Sequence, residues 1–168
     1  MEDHNVFAGA FVDRIGERRK DPEWLARAAK SGDCRFVPVW GDRCLAGGDP
    51  PHTILLPRHE VESFIDDDHL IFLGLYQDRP AFAFSIDREQ PAPFEELGEF
   101  RDLRLLGMIL PPDEANLVAH ARALVLWHAS QLFCGVCGTA ARPEAGGNAR
   151  VCMNADCSRI IFPRVDPA

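Results

Sequence analysis

The order of hydrophobic patterns predicts an α+β fold: an N-terminal mixed α/β domain over residues 1–132, followed by a small β module over residues 133–168. Three observations carry this. Strand-like alternation is concentrated before Asp87, helical spacing after it, and four cysteines in two pairs follow Leu132. Strands first and helices after are the mark of segregated elements rather than of repeating β-α-β units. With 168 residues, 46% of them apolar, the chain can bury a real core and suits one ordinary domain plus a small module.

The elements follow in order. Asp21-Pro22-Glu23 opens a helix, with Asp21 as cap and Pro22 at the first helical position. Trp24, Leu25, Ala28 and Ala29 form its apolar face, and Gly32 ends it. "CRFVPVWGDRCLAGG" reads as two strands around a Gly41-Asp42 turn, and "TILLPR" as another strand. Pro57 starts a short helix through Phe64. A second hairpin runs from His69 to Tyr76, turns at Gln77-Asp78-Arg79, and returns from Ala81 to Ile86. There Ala81, Ala83 and Ser85 alternate with Phe82, Phe84 and Ile86, as in a half-buried strand. "FEELGEFRDLRLLGMIL" is a helix candidate interrupted by Gly98 and Gly107. "PDEANLVAHARALVLWHASQLF" is the strongest helix, with Pro112, Asp113 and Glu114 suited to its positive end.

Composition excludes several functions. A formal net charge of −8 disfavours general binding to nucleic-acid backbones. Arg18, Arg19 and Lys20 form the one tight basic cluster, read here as a solvated helix end. The N-terminus starts acidic and has no continuous apolar stretch, so neither a secretory signal nor a membrane span is expected. A cytoplasmic, reducing setting is the expectation, and there paired cysteines bind metal more often than they form disulfides.

Cys134-x-x-Cys137 and Cys152-x4-Cys157 are separated by "GTAARPEAGGNARV", enough for two short strands and a turn at Gly146-Gly147. Two such pairs complete a tetrahedral four-sulfur shell for Zn²⁺, which makes the module a zinc ribbon. Two disulfides or free thiols are the alternative. Sulfur in all four places leaves no open position for water, so the zinc is expected to be structural. Cys34 and Cys44 fall on the strands of the first hairpin and read as small buried residues, with a redox pair or second metal site as the alternative.

Catalytic machinery is not apparent. The histidines form no metal-binding pattern, and there is no P-loop, G-x-G-x-x-G or G-x-S-x-G. Glu95-Glu96-Leu97-Gly98 matches the end of a Nudix box, but the register places Pro91-Ala92, Ala83 and Gln77 where the box needs Arg-Glu, Glu and Gly.

"FVDRIGERRKDPEWLARA", "FRDLRLLGMILPPDEANLVAHARALVLWHASQLFCGVCG" and "IIFPRVDPA" nevertheless resemble the N-terminal two-thirds of the NADH pyrophosphatases of the Nudix family, over essentially the whole chain. The resemblance implies an N-terminal domain, a zinc ribbon with Cys134, Cys137, Cys152 and Cys157 as ligands, and a lead into a catalytic Nudix domain expected beyond Ala168. It implies hydrolysis of NAD(H) to NMN(H) and AMP with Mg²⁺ or Mn²⁺, possible action on NAD-capped RNA, and a homodimer. Phe162 falls where the family has an aromatic that stacks on the base, and Arg104 where it has an arginine that contacts substrate. A family glutamate in the ribbon falls at Gly147. With the box absent, the 168 residues alone are expected to be inactive. A stand-alone ribbon module for binding or assembly is the competing reading.

Overall fold

In a computed structural model, residues 7–163 are described. His4 and the Arg164–Ala168 half of the "FPRVDPA" motif lie outside them. The main sheet contains β1 (Val12–Asp13), β2 (Arg35–Trp40), β3 (Arg43–Gly47), β4 (His52–Thr53), β5 (Ile71–Tyr76), β6 (Arg79–Ile86) and β7 (Glu99–Arg101). Its order is β1-β5-β6-β2-β3-β4, with β7 also paired to β3. The sheet is mixed. β2 runs parallel to β6, from Arg35 opposite Ala81 to Trp40 opposite Ile86, and every other pairing is antiparallel.

Alternation along the central strands assigns each side chain to a face. Val37, Val39, Ile71, Leu73, Ala81 and Ala83 are buried beneath one helical layer. That layer is α3 (Leu103–Ile109) and α4 (Pro112–Ser130), which contributes Leu117, Val118, Ala121, Leu124 and Val125. On the opposite face Phe36, Phe72, Phe82 and Phe84 pack with α1 (Pro22–Ala29) and α2 (Arg58–Val61). The small Ala81 and Ala83 let α4 lie close, while the aromatic rings fill the wider space under the short helices. Phe72 and Phe82 are 5.1 Å apart, Trp24 and Phe72 5.4 Å, distances at which aromatic pairs attract.

The expected β2–β3 hairpin forms at Gly41-Asp42. The β5–β6 turn is tighter than read: Gln77 and Asp78 alone make it, both at positive φ (51° and 61°), and Arg79 already pairs with Tyr76. Two left-handed central residues give the turn whose twist matches the flanking strands. Gly74 has φ 135°, and any side chain there would run into the Asp13 carbonyl of β1, so the close pass of that edge strand requires glycine.

Several expectations need correcting. "FEELGEFRDLRLLGMIL" is not one helix. Glu99–Arg101 pairs with Cys44–Ala46 as β7, because Gly98 lets the backbone pack against Ala46, and the helix starts only after Asp102. The Asp102 carboxylate accepts from the Arg104 amide at 2.8 Å, a local cap that resets the chain from strand to helix. Of "TILLPR" only Thr53 lies in a strand, the short β4 that begins at His52, with Leu56 bridging Phe36 just before Pro57, which cannot continue the ladder. The helix after Pro57 ends at Val61 rather than Phe64. His69 belongs to a 3₁₀ turn (Asp67–His69) ahead of β5. α4 stops at Ser130. The cap of α1 is as read: Asp21 accepts from the Trp24 amide at 2.9 Å.

The C-terminal sheet is antiparallel in the order β10-β9-β8, from β8 (Ala141–Glu144), β9 (Ala149–Cys152) and β10 (Ile160–Ile161). Among the described residues, no helix is long and apolar enough to cross a membrane.

Candidate metal centre and substrate-facing residues

The four cysteine sulfurs of Cys134, Cys137, Cys152 and Cys157 lie within 4.8 Å of one another. Cys134 Sγ is 3.8 Å from Cys157 Sγ, and Cys137 Sγ is 3.4 Å from Cys152 Sγ. None is in a disulfide. Zinc–thiolate bonds of about 2.3 Å in a tetrahedron require sulfur–sulfur edges of about 3.8 Å. The cluster therefore fits a closed four-thiolate zinc shell better than it fits disulfides, whose sulfurs sit about 2.05 Å apart.

Two knuckles build the site. In the first, the Gly138 amide donates to the Cys134 carbonyl at 2.9 Å, and Gly138 has φ 72°. This turn aims the Val136 and Cys137 amides at the Cys134 sulfur, which holds that thiol below its ordinary pKa. The Thr139 hydroxyl and amide lower Cys137 to about 6. The second knuckle accommodates its longer spacing through Asn154. Its side chain accepts from the Asp156 amide at 3.0 Å, and its carbonyl accepts from the Cys157 and Ser158 amides at 3.0 and 2.8 Å. Burial pushes Cys152 up to about 12. Four thiolates so close repel one another, and a bound dication supplies the charge that lets all of them ionise.

The ribbon also grips the main sheet, by a contact the sequence did not reveal. The Phe72 amide donates to Gly146 O at 2.7 Å, and Asn148 Nδ2 donates to Phe72 O at 2.7 Å. The turn between β8 and β9 thus satisfies both backbone groups of Phe72 in β5. Gly147 has φ 77°, and a side chain there would come within 3.0 Å of Ile71 Cα. From α4, His128 Nε2 donates to Gly147 O at 2.7 Å. Arg150 Nη1 donates to His128 Nδ1 at 2.9 Å, and Arg150 Nε reaches Ala141 O at 3.2 Å. Arg150 is 7% exposed, which places its charge inside the joint. His128 lies within the quoted "W-H" motif, yet nothing in its spacing separates a docking histidine from a helix-face one.

The other candidate residues sit apart. Arg104 is exposed on the first turn of α3, lining a hollow with Asp42, Asp102 and Arg122, and no described acidic side chain pairs with its guanidinium. Phe162 directly follows β10 and is 66% exposed. The hollow that Arg104 lines does not include Phe162. Cys34 and Cys44 belong to the two opposite apolar clusters, and burial raises both thiols to about 12. They form no pair. Among the described residues the four cysteines are the one group of three or more His, Cys, Asp or Glu side chains gathered closely enough to hold a metal.

Comparison with known proteins agrees with this geometry. Residues 34–127 match the model of the NADH pyrophosphatase-like rudimentary NUDIX domain, and residues 129–162 match the NADH pyrophosphatase zinc ribbon domain. NAD-capped RNA hydrolase NUDT12 of Homo sapiens is 41% identical, over 99% of this chain and 45% of its own length. NAD-capped RNA hydrolase NudC of Deinococcus radiodurans is 38% identical, over 59% of this chain and 33% of its own. Nudix hydrolase 19, chloroplastic, of Arabidopsis thaliana is 28% identical, over 83% and 33%. The chain thus spans between a third and under half of the length of these relatives. A Nudix-like sheet without the acidic box, joined to a four-cysteine ribbon, places the chain in the NADH-pyrophosphatase family of Nudix hydrolases.

Proposed function

We propose that these 168 residues are the N-terminal domain (1–132) and zinc ribbon (133–168) of a cytoplasmic NAD(H) diphosphatase that releases NMN(H) and AMP. They serve in homodimerisation and in shaping the substrate pocket, while glutamates of a Nudix box outside this chain would hold Mg²⁺ or Mn²⁺ against the diphosphate. The observation that carries the reading is the metal-fitted ribbon clamped to a box-less Nudix-like sheet. NAD-capped RNA is a second substrate of the same chemistry, in line with what the relatives' names say they act on.

Within this reading Phe162 stacks on a base and Arg104 contacts a phosphate or ribose. Two features support the pair: the Phe162 ring faces solvent rather than a core, and Arg104 has no described acidic partner. Pro163 restricts Phe162 to extended backbone, so the ring's direction is well defined. Base stacking on an aromatic side chain contributes about 1–3 kcal/mol.

The test is steady-state kinetics on a polypeptide that includes a Nudix box. Phe162→Ala is expected to lower kcat/KM roughly 5- to 150-fold, the equivalent of that stacking energy, with zinc content and dimer mass unchanged. A change within about twofold refutes the role of the ring. Purified residues 1–168 alone are expected not to hydrolyse NADH with Mn²⁺, and turnover above a mock preparation refutes the division of labour.

A further inference from the structure

The four cysteines of the ribbon are not equally reachable. In the first knuckle the Gly138 amide closes the turn on Cys134 O, which leaves Cys134 buried and Cys137 exposed on the outer side of the turn. Cys152 ends β9 opposite Ala141 of β8 and is buried there, and Cys157 is half-buried. A hollow of about 500 Å³ opens on this side of the ribbon, lined by Val136, Cys137, Asn154, Asp156, Cys157 and Arg159. Cys134 and Cys152 do not line it, so it lies outside one edge of the sulfur cluster rather than between the four sulfurs. It is far larger than a metal ion needs, and it gives a small reagent a route from solvent to Cys137.

The thiolate, not the thiol, is the nucleophile, and susceptibility to oxidation follows thiolate character and exposure. Metal ligation keeps a cysteine deprotonated. Cys137 thus combines a held thiolate with an open approach. A sulfur oxidised there also has a partner at hand. Cys152 Sγ lies 3.4 Å from Cys137 Sγ, closer than the 3.8 Å between Cys134 and Cys157, and a short movement brings it to the bonding distance of about 2.05 Å. Being buried, Cys152 is placed to answer an oxidised neighbour rather than to meet the reagent itself. Cys34 and Cys44 supply the contrast: they are 0% and 1% exposed, lie in opposite apolar clusters, and have neither the approach nor the partner.

We propose that Cys137 is a site of oxidation by hydrogen peroxide, and that its disulfide with Cys152 releases the metal and with it the order of the ribbon. The Cys137 thiolate attacks one peroxide oxygen: an S–O bond forms, the O–O bond breaks and hydroxide leaves, so sulfur is oxidised to the sulfenic state as the peroxide is reduced. The Cys152 thiolate then attacks that sulfur. The S–S bond forms, the S–O bond breaks and a second hydroxide leaves. Two thiolates and one peroxide thus become one disulfide and two hydroxides. Cys134 and Cys157 are only half of a four-sulfur shell and no longer close it around a dication. A dithiol reductant reverses the step. This chemistry needs no Nudix box and holds whether or not the parent chain cleaves NAD(H).

The test treats the zinc-loaded 168-residue chain with hydrogen peroxide and follows zinc release with a chromophoric chelator. Replacing Cys137 would remove a metal ligand, so the wild-type chain is used throughout. Above the peroxide-free rate, release is expected to quicken about tenfold for a tenfold rise in peroxide, as attack on the loaded shell requires. A rate that peroxide leaves unchanged means that the metal departs first and free thiols oxidise afterwards, and overturns the proposal. Peptide mass mapping without reductant is expected to find Cys137 joined to Cys152, and, with dimedone present, the first adduct on Cys137. A Cys134–Cys157 link, or first capture at any other cysteine, overturns it as well. Exchange at the Cys152 amide, bonded to Arg159 O at 2.9 Å, is expected to quicken about tenfold or more after oxidation and to recover with dithiothreitol and zinc. An unchanged rate there refutes the link between oxidation and ribbon order.

Discussion

The two parts of this chain are held together by different means. The main sheet is covered on both faces, with Phe36, Phe72, Leu73, Leu106, Leu117 and Val118 fully buried. The ribbon buries little beyond Cys134, Ala141, Ala149, Arg150 and Cys152, and leaves Phe133, Val136, Met153, Ile160 and Phe162 exposed. A module so small cannot bury enough apolar surface to offset its chain entropy, so its order rests on the metal and on the clamp to β5 and α4. The lesson is that one continuous chain can use hydrophobic burial and coordination side by side, and that each should fail under a different insult.

The largest effect should come from the metal. Chelation of zinc, or Cys134→Ser, is expected to remove hydrogen-exchange protection from residues 134–161 while β2, β5 and β6 stay protected. Structural zinc contributes on the order of 10 kcal/mol to small sites, far more than any single ribbon contact. Loss of protection throughout would show that the main sheet depends on the ribbon, and would erase the contrast. The converse cut is Phe36→Ala, at the centre of the aromatic cluster. It is expected to cost about 3–5 kcal/mol of main-sheet stability in denaturant titrations without altering zinc stoichiometry.

The main sheet was legible because its signals are local and periodic. Phe82-Ala83-Phe84 alternates, Asp21-Pro22 caps, and the cysteine pairs declare the ribbon from spacing alone. What was not legible depends on partners distant in sequence. Glu99–Arg101 looks helical by composition and becomes a strand only because β3 offers it an edge. The Nudix-like character of the sheet was hidden because the box that names such domains is missing. The clamp was invisible for the same kind of reason: His128 and Arg150 are ordinary in their own elements and meaningful only once α4 and β9 are adjacent.

That joint sharpens the comparison at a smaller scale. His128→Ala should cost about 1–3 kcal/mol, by leaving Arg150 and Gly147 O without their partner. It should loosen the ribbon against the sheet, seen as faster exchange at the Phe72 amide, with zinc retained. An unchanged Phe72 rate would mean that Gly146 and Asn148 suffice.

The last effect, small near neutrality, is one of pH, and it belongs to the main sheet. Burial first, then Arg14 and Arg19, depress His120 from 6.5 to about 3 in the folded chain. The unfolded chain therefore takes up a proton that the folded chain refuses. Stability is complete above pH about 6.5 and declines as pH falls toward 3, by up to about 1.4 kcal/mol per pH unit. In phosphate-free chloride, His120→Gln should flatten that part of the acid limb. An identical slope in the variant would assign the acid sensitivity to other groups.

The parallel pairing of β2 with β6 has a consequence for how the chain reaches its fold. Residues as far apart in sequence as Arg35 and Ala81 must meet before the sheet has a centre. Closing so long a loop is entropically slow, whereas β5 and β6 are joined by a two-residue turn and can pair as soon as both exist. The β5–β6 hairpin is thus the natural nucleus, with β2 added to one side of it and β1 to the other. The ribbon turn needs the Phe72 backbone already in place as β5, and its cysteines leave a ribosome after every strand of the main sheet. Synthesis and topology therefore impose the same order: hairpin, sheet, then metal, so that zinc capture closes the assembly rather than starting it.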